Sequence, residues 1–189
     1  MGFLDALTGR RKLAAPAKDR LFAMSTAYVT LQTLGIRSRG SAAVVFQPLA
    51  TADFESIVKD MEDLVRATAA DSSTTVERFD DPYRFRWLVL RGEDFDGLVV
   101  AVNAISGALE AGGYGERLLC AVFAFEDEQS HPLYWLYNYK RGSFYPFVPA
   151  AGRERRDNER ELVLQAQMGR ELPMETDLGR WFALWGIPI

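Results

Sequence analysis

Apolar residues recur along this chain with two different periods, and the switches between them mark out its elements. Phe54, Ile57, Val58, Met61, Leu64 and Val65 fall on one side of a helical wheel, while Glu55, Lys59, Asp60, Glu62 and Asp63 cover the other. That spacing predicts an amphipathic helix after Thr51. A second stripe, Phe95, Leu98, Val99, Val102, Ile105 and Leu109, predicts a helix over 94–111, stopped by Gly112 and Gly113. Between the two, ADSSTT reads as a loop, and 76–79 and 85–90 read as strands of a hairpin joined across Asp80, Asp81 and Pro82. Residues 118–125 are apolar at almost every position, the pattern of a central strand buried on both faces. An exposed turn over 126–130 then leads into an aromatic strand at 133–140, and Gly142 permits a further turn into 143–147, closed by Pro146 and Pro149.

The two ends are less regular. Residues 19–35 mix helix-compatible Leu21, Phe22, Leu31 and Leu34 with strand-favouring Tyr28, Val29 and Thr30, and we assign them to a helix ending at Gly35. Residues 37–41 read as a polar loop, and 42–47 as a short strand stopped by Pro48. Near the other end, 153–158 reads as a charged loop entering a helix through Met168. Residues 177–185 suggest a last short helix whose Trp181, Phe182 and Trp185 are too large to leave in water without reason. Residues 1–18 form a separate tail, with Phe3, Leu4 and Leu7 followed by Arg10, Arg11 and Lys12, and residues 19–189 form one domain.

From Ala42 the order is strand, helix, strand, strand, helix, strand, strand, helix. It predicts an α+β two-layer sandwich, a mainly antiparallel sheet with helices on one face. Two topologies satisfy it: the βαββαβ order of ferredoxin-like folds over 42–125, or, counted from the helix at Asp53, the helix-first order of secretion chaperones.

Composition narrows the partners. At 189 residues and 48% hydrophobic, the chain can bury about 70% of its unfolded surface as one unit. A net charge of −4 argues against general nucleic-acid binding, which needs many Lys and Arg to neutralise phosphates. The single cysteine, Cys120, cannot form an internal disulfide, and the opening residues place apolar before basic side chains, the reverse of a signal peptide. The expectation is a cytoplasmic protein with at most peripheral membrane contact, through the tail, at the inner face. No apolar run reaches the roughly 20 residues of a membrane span, and Ala6 stands where a myristoylation site carries Ser or Thr.

Catalytic candidates are sparse. His131, the only histidine, sits beside Pro132 in the turn and reads as exposed, and Cys120 lies inside LLCAVFAF as a small core residue. Carboxylates cluster at Asp80 and Asp81, at Glu93, Asp94 and Asp96, and at Glu126, Asp127 and Glu128. Such groups can serve as acid and base or hold a hard metal, but turns and helix starts also favour acidic side chains for solvation and for the helix dipole. No zinc-ligand spacing and no nucleotide-binding glycine loop is present, and no cofactor is expected.

One combination stands above this background: Tyr137, Tyr139, Lys140, Arg141, Phe144 and Tyr145, with Arg153, Arg155 and Arg156 nearby in sequence. Aromatics interleaved with cations make protein-interface hot spots or grip nucleic acid, and the acidic net charge favours protein. The plainer alternative is a sheet face covered by the C-terminal helix.

The segments MGFLDALTGR, ALEAGGYGERLLCAVFAF, LYWLYNYKRGSFYPFVP, RERRDNEREL and DLGRWFALWGIP resemble the PspAB family, proteins associated with phage shock protein A. The resemblance implies a place near bacterial envelope-stress systems, with a PspA-like protein or an HtpX-type membrane protease as partner, and brings no catalytic residues. The expected function is a non-enzymatic adaptor or regulator acting by protein binding. The alternatives are a hydrolase or transferase built on Asp80, Asp81, Glu126 and Asp127, and a peripheral membrane sensor using residues 3–12.

Overall fold

The computed structural model describes residues 18–72, 74–152 and 154–189; the amphipathic tail inferred for residues 1–18 thus lies almost wholly outside the described residues. In chain order the elements are α1 (Lys18–Leu21), α2 (Ala23–Thr33), β1 (Arg37–Phe46), α3 (Ala52–Ser72), β2 (Thr75–Asp80) and β3 (Arg86–Arg91). They continue with α4 (Phe95–Ala111), β4 (Leu118–Glu126), β5 (Pro132–Asn138), β6 (Ser143–Phe147) and α5 (Asn158–Met168).

The strands form one six-stranded sheet, in the order β2-β3-β1-β4-β5-β6, with every neighbouring pair antiparallel. β1 and β2 flank β3, while β3 and β4 flank β1, so two split βαβ units interleave. This is the ferredoxin-like arrangement, extended by β5 and β6 beyond β4. A helix-first reading from α3 omits β1, which is hydrogen-bonded on both sides at the sheet centre. The expected α+β fold with an antiparallel sheet is what the chain adopts.

Because side chains alternate across a strand, the sheet has two apolar faces. Val44, Phe46, Leu88, Leu90, Phe123, Phe125, Trp135 and Tyr137 face the helices, where the stripes of α3 and α4 meet them. Burying each of the large residues on the α4 stripe contributes about 1.5–3 kcal/mol. The helix ends are built as the sequence suggests: the Asp94 carboxylate accepts from the Asp96 N–H at 3.1 Å, and Gly113 takes the left-handed φ of +84° just past the end. Ala43, Val45, Trp87, Val89, Val122, Ala124, Tyr134 and Leu136 point the other way.

Four expectations need correction. Residues 37–41 are strand, the first half of β1: this end of β1 projects beyond the core, so its alternate positions meet solvent and polar residues suit it, while a register shift between Ser38 and Ala42 absorbs Gly40 at φ +65°. The loop assigned to ADSSTT starts later, because the Ala-rich stretch carries α3 through Ser72. The turn at 126–130 is not exposed throughout: Asp127 is buried, and its Oδ1 accepts from the Gln129 and His131 N–H groups. Finally, 177–185 is not a regular helix. After one 3-10 turn at Leu178–Arg180 the chain extends over the second sheet face as a strap.

Candidate functional site

The strap is held by side chains that donate to its carbonyl oxygens. The Tyr145 hydroxyl donates to Phe182 at 3.2 Å, Arg91 to Pro188 at 3.3 Å, and the Tyr134 hydroxyl to a main-chain oxygen of Ile189 at 3.3 Å. Arg156 donates to the Trp181 carbonyl while its guanidinium pairs with Glu161 at 2.8 Å and lies 5.4 Å from the centre of the Phe147 ring. Trp181 stacks on Tyr145 and Trp185 meets Phe147 edge-on. Glu161 itself is buried and accepts from the Val148 N–H at 2.9 Å; burial raises its pKa, against the opposing pull of Arg156.

Between the strap and the sheet a groove of about 530 Å³ stays open, lined by Val45, Phe85, Trp87, Leu119, Cys120, Tyr145 and the strap residues 182–185. Its volume and apolar walls fall in the range of ligand-binding clefts, ~300–1,000 Å³. At the rim stand Tyr83 and Phe182, 69% and 60% exposed, together with Lys140 and Asp81. Asp81 is committed within its own turn, accepting from the Tyr83 and Phe85 N–H groups at 2.9 Å and from Trp87 Nε1 at 3.0 Å. Lys140 forms no ion pair among the described residues. The Cys120 thiol is pushed up to about 12 by burial, which leaves it protonated at neutral pH and fits its reading as core.

A second concavity of about 290 Å³ adjoins this groove across Lys140. It is polar, lined by Arg20, Lys140, Arg141, Ser143 and Glu175 among others. Arg141 Nε lies 3.3 Å from Glu175, and Arg20 Nη1 donates to the Gly142 carbonyl at 3.5 Å. Gly142, at φ +63°, makes the tight turn after Lys140 and Arg141 and presents its carbonyl to Arg20.

The aromatic and basic residues singled out from sequence do not share one face. Strand alternation sends Tyr137, Tyr139 and Phe144 into the helix-side core, buried, whereas Tyr145 points to the strap. Lys140 and Arg141 precede β6 and Arg155 and Arg156 follow it, so the cations are parted by the length of a strand. Arg155 is exposed, Arg156 is paired, and Arg153 lies outside the described residues. The groove as a whole has no local pattern because its walls come from five separate segments, at Val45, at Phe85 and Trp87, at Leu119 and Cys120, at Tyr145 and at 182–185. Its one sequence signal was the run of bulky residues Trp181, Phe182 and Trp185.

The carboxylates do not converge either. Asp80 binds Arg86 at 2.7 Å beside the Phe46 end of β1, while Glu126 and Asp127 lie at the Arg37 end. Ten residues of β1 separate these ends, roughly 30 Å of strand. A hydrolytic site joining Asp80, Asp81, Glu126 and Asp127 is therefore ruled out by geometry. Among the described residues no group of His, Cys, Asp or Glu is placed to hold a metal ion.

The family model described as PspA associated protein B matches residues 1–189. The chain belongs to the PspAB family. No curated protein and no solved structure matches it. The family's name records association with PspA, and among the described residues of this PspAB chain no helix is long and apolar enough to cross a membrane.

Proposed function

We propose that this PspAB protein is a non-enzymatic adaptor or regulator of a PspA-type envelope-stress response, working in the cytoplasm by binding a PspA-like protein. The observation that carries the reading is a full-length match to a family named for that association, joined to an exposed apolar patch beside one of the basic segments expected to bind. Leu162 and Val163 on α5 and Leu178 at the start of the strap are each about half exposed, and Leu162 and Leu178 line one shallow depression with Arg156. Exposed apolar side chains grouped on a helix and the adjoining strap suit the apolar stripe of a partner helix. Of the residues expected from sequence, Arg156 lines this depression, while Lys140 and Arg141 precede β6.

Co-purification with a PspA-like protein tests the proposal. Leu162→Asp with Leu178→Asp should cut recovery at least ~10-fold, since two buried apolar contacts at an interface are worth more than 1.4 kcal/mol together. Unchanged recovery with a variant that keeps its wild-type circular dichroism would remove this surface. An HtpX-type protease as a second partner is tested by the same variants.

A further inference from the structure

The apolar groove and the basic concavity meet at Lys140, which lines both. The groove offers about 530 Å³ of mainly apolar wall with Lys140 and Asp81 as its charged lining residues, while the concavity gathers Arg20, Lys140 and Arg141 around one carboxylate among the described residues, Glu175. Glu175 is already engaged, by Arg141 at 3.3 Å and by the Ser143 hydroxyl at 3.4 Å. Arg20 and Lys140 form no ion pair among the described residues, which leaves a net positive rim at the mouth of an apolar cleft. A protein tolerates that arrangement cheaply in water, but it is complementary to a molecule with an anionic head and an aliphatic tail.

We infer that this is a binding site for a single anionic phospholipid, with its phosphate held by Arg20, Lys140 and Arg141 and its acyl chain laid against Trp87, Leu119 and Trp185 beneath the strap. The phosphate oxygens accept charge-assisted hydrogen bonds from guanidinium and ammonium groups, and the chain displaces water from aromatic walls. Asp81, the other carboxylate at the groove, keeps its charge but is held by the Tyr83 and Phe85 N–H groups and by Trp87 Nε1, so three cations face two carboxylates around the two cavities. This site lies apart from the α5 patch and stands or falls without it.

Two of the tryptophans, Trp87 and Trp185, line the groove, so intrinsic fluorescence reads its occupancy directly. The full chain is titrated with monomeric 1-lauroyl lysophosphatidate, with sn-glycerol 3-phosphate as the head alone, and with 1-lauroylglycerol as the uncharged amphiphile. The expected result is one-to-one saturable binding of lysophosphatidate, at least ~10-fold tighter than either half, as loss of charge-assisted hydrogen bonds or of the buried chain implies. Lys140→Glu, a change at an exposed position, should weaken lysophosphatidate about tenfold or more and leave 1-lauroylglycerol unaffected. The inference is overturned if lysophosphatidate gives no saturable change, if glycerol 3-phosphate binds as tightly, which would mean a simple anion site, or if 1-lauroylglycerol does, which would mean an unselective apolar cleft. Indifference of lysophosphatidate affinity to Lys140→Glu overturns it as well.

Discussion

The two faces of the sheet are both apolar, yet they are closed by different means. The helix face is sealed by continuous stripes on α2, α3 and α4, so Phe123, Phe125 and Trp135 are wholly buried. The other face is crossed by one extended strap, tied down through its carbonyl oxygens by Tyr134, Tyr145, Arg91 and Arg156. An extended segment covers less width than a helix, and a groove remains beside it. Apolar area alone thus does not decide whether a face becomes core or a site. What decides it is whether the covering element has enough side chains per unit length to fill the space.

Truncation should expose this difference most strongly. Phe123→Ala removes a ring from the sealed face and is expected to cost about 4 kcal/mol, the sum of lost transfer energy and a cavity that cannot collapse. Trp185→Ala, although a larger deletion, cuts a half-buried ring that already borders open space, so about 1–2 kcal/mol is expected. Urea unfolding of both variants makes the comparison; equal losses would mean that the strap face is packed as tightly as the helix face.

The next effect concerns how the strap is anchored. Arg156→Ala strands the Glu161 carboxylate in a buried position and also frees the Trp181 carbonyl, for a loss of about 3 kcal/mol. The double change Arg156→Met with Glu161→Leu should regain most of that, because an apolar pair leaves no buried charge behind. If the double variant is as unstable as the single one, the anchoring depends on the bond to Trp181 and not on the ion pair.

What could be read from the sequence follows the same division. The stripes of α3 and α4 and the unbroken apolar run of β4 state their partners locally, and the helix-side layer was legible from them. β1 was cut short because polar Arg37, Ser38 and Arg39 imitate a loop, when they are the solvent-facing end of a strand paired on both sides. Tyr137, Tyr139 and Phe144 looked like a binding surface because aromatic content says nothing about which face of a strand is covered. The groove has no local signature at all: Trp87, Leu119 and Trp185 meet only through tertiary structure. The strap resisted prediction for the same reason, since its conformation is set by donors on β3, β5 and β6 and on the loop before α5, and not by its own periodicity.

The smallest expected effect isolates the polar link of the helix side. Asp127 joins the β4–β5 turn to α5 through an ion pair with Arg160 at 2.7 Å, and α5 contributes Leu164 and Met168 to the helix-side core. Burial works against its ionised form, but the N–H groups of His131 and Gln129 and the Arg160 guanidinium outweigh that, and the carboxyl falls from 3.8 to about 2. A pKa lowered on folding stabilises the protein above the unfolded value and is lost as pH drops through the folded one, so the contribution is present above about pH 4 and gone below about pH 2. Its size is about 2 kcal/mol at most. Asp127→Asn keeps an oxygen for the turn N–H groups but removes the charge and puts an amide donor where Oδ2 accepts from Arg160. The stability gap between wild type and this variant, measured by urea unfolding, should be largest at pH 6 and narrow by up to about 2 kcal/mol between pH 4 and 2. Under the same scan the gap for Arg156→Ala should behave differently: the Glu161 pKa is raised, not lowered, so its dependence on pH begins at higher pH than that of Asp127. Coincident pH profiles would mean that the two ion pairs respond as one unit and that the separation of the helix side from the strap side does not extend to their polar anchors.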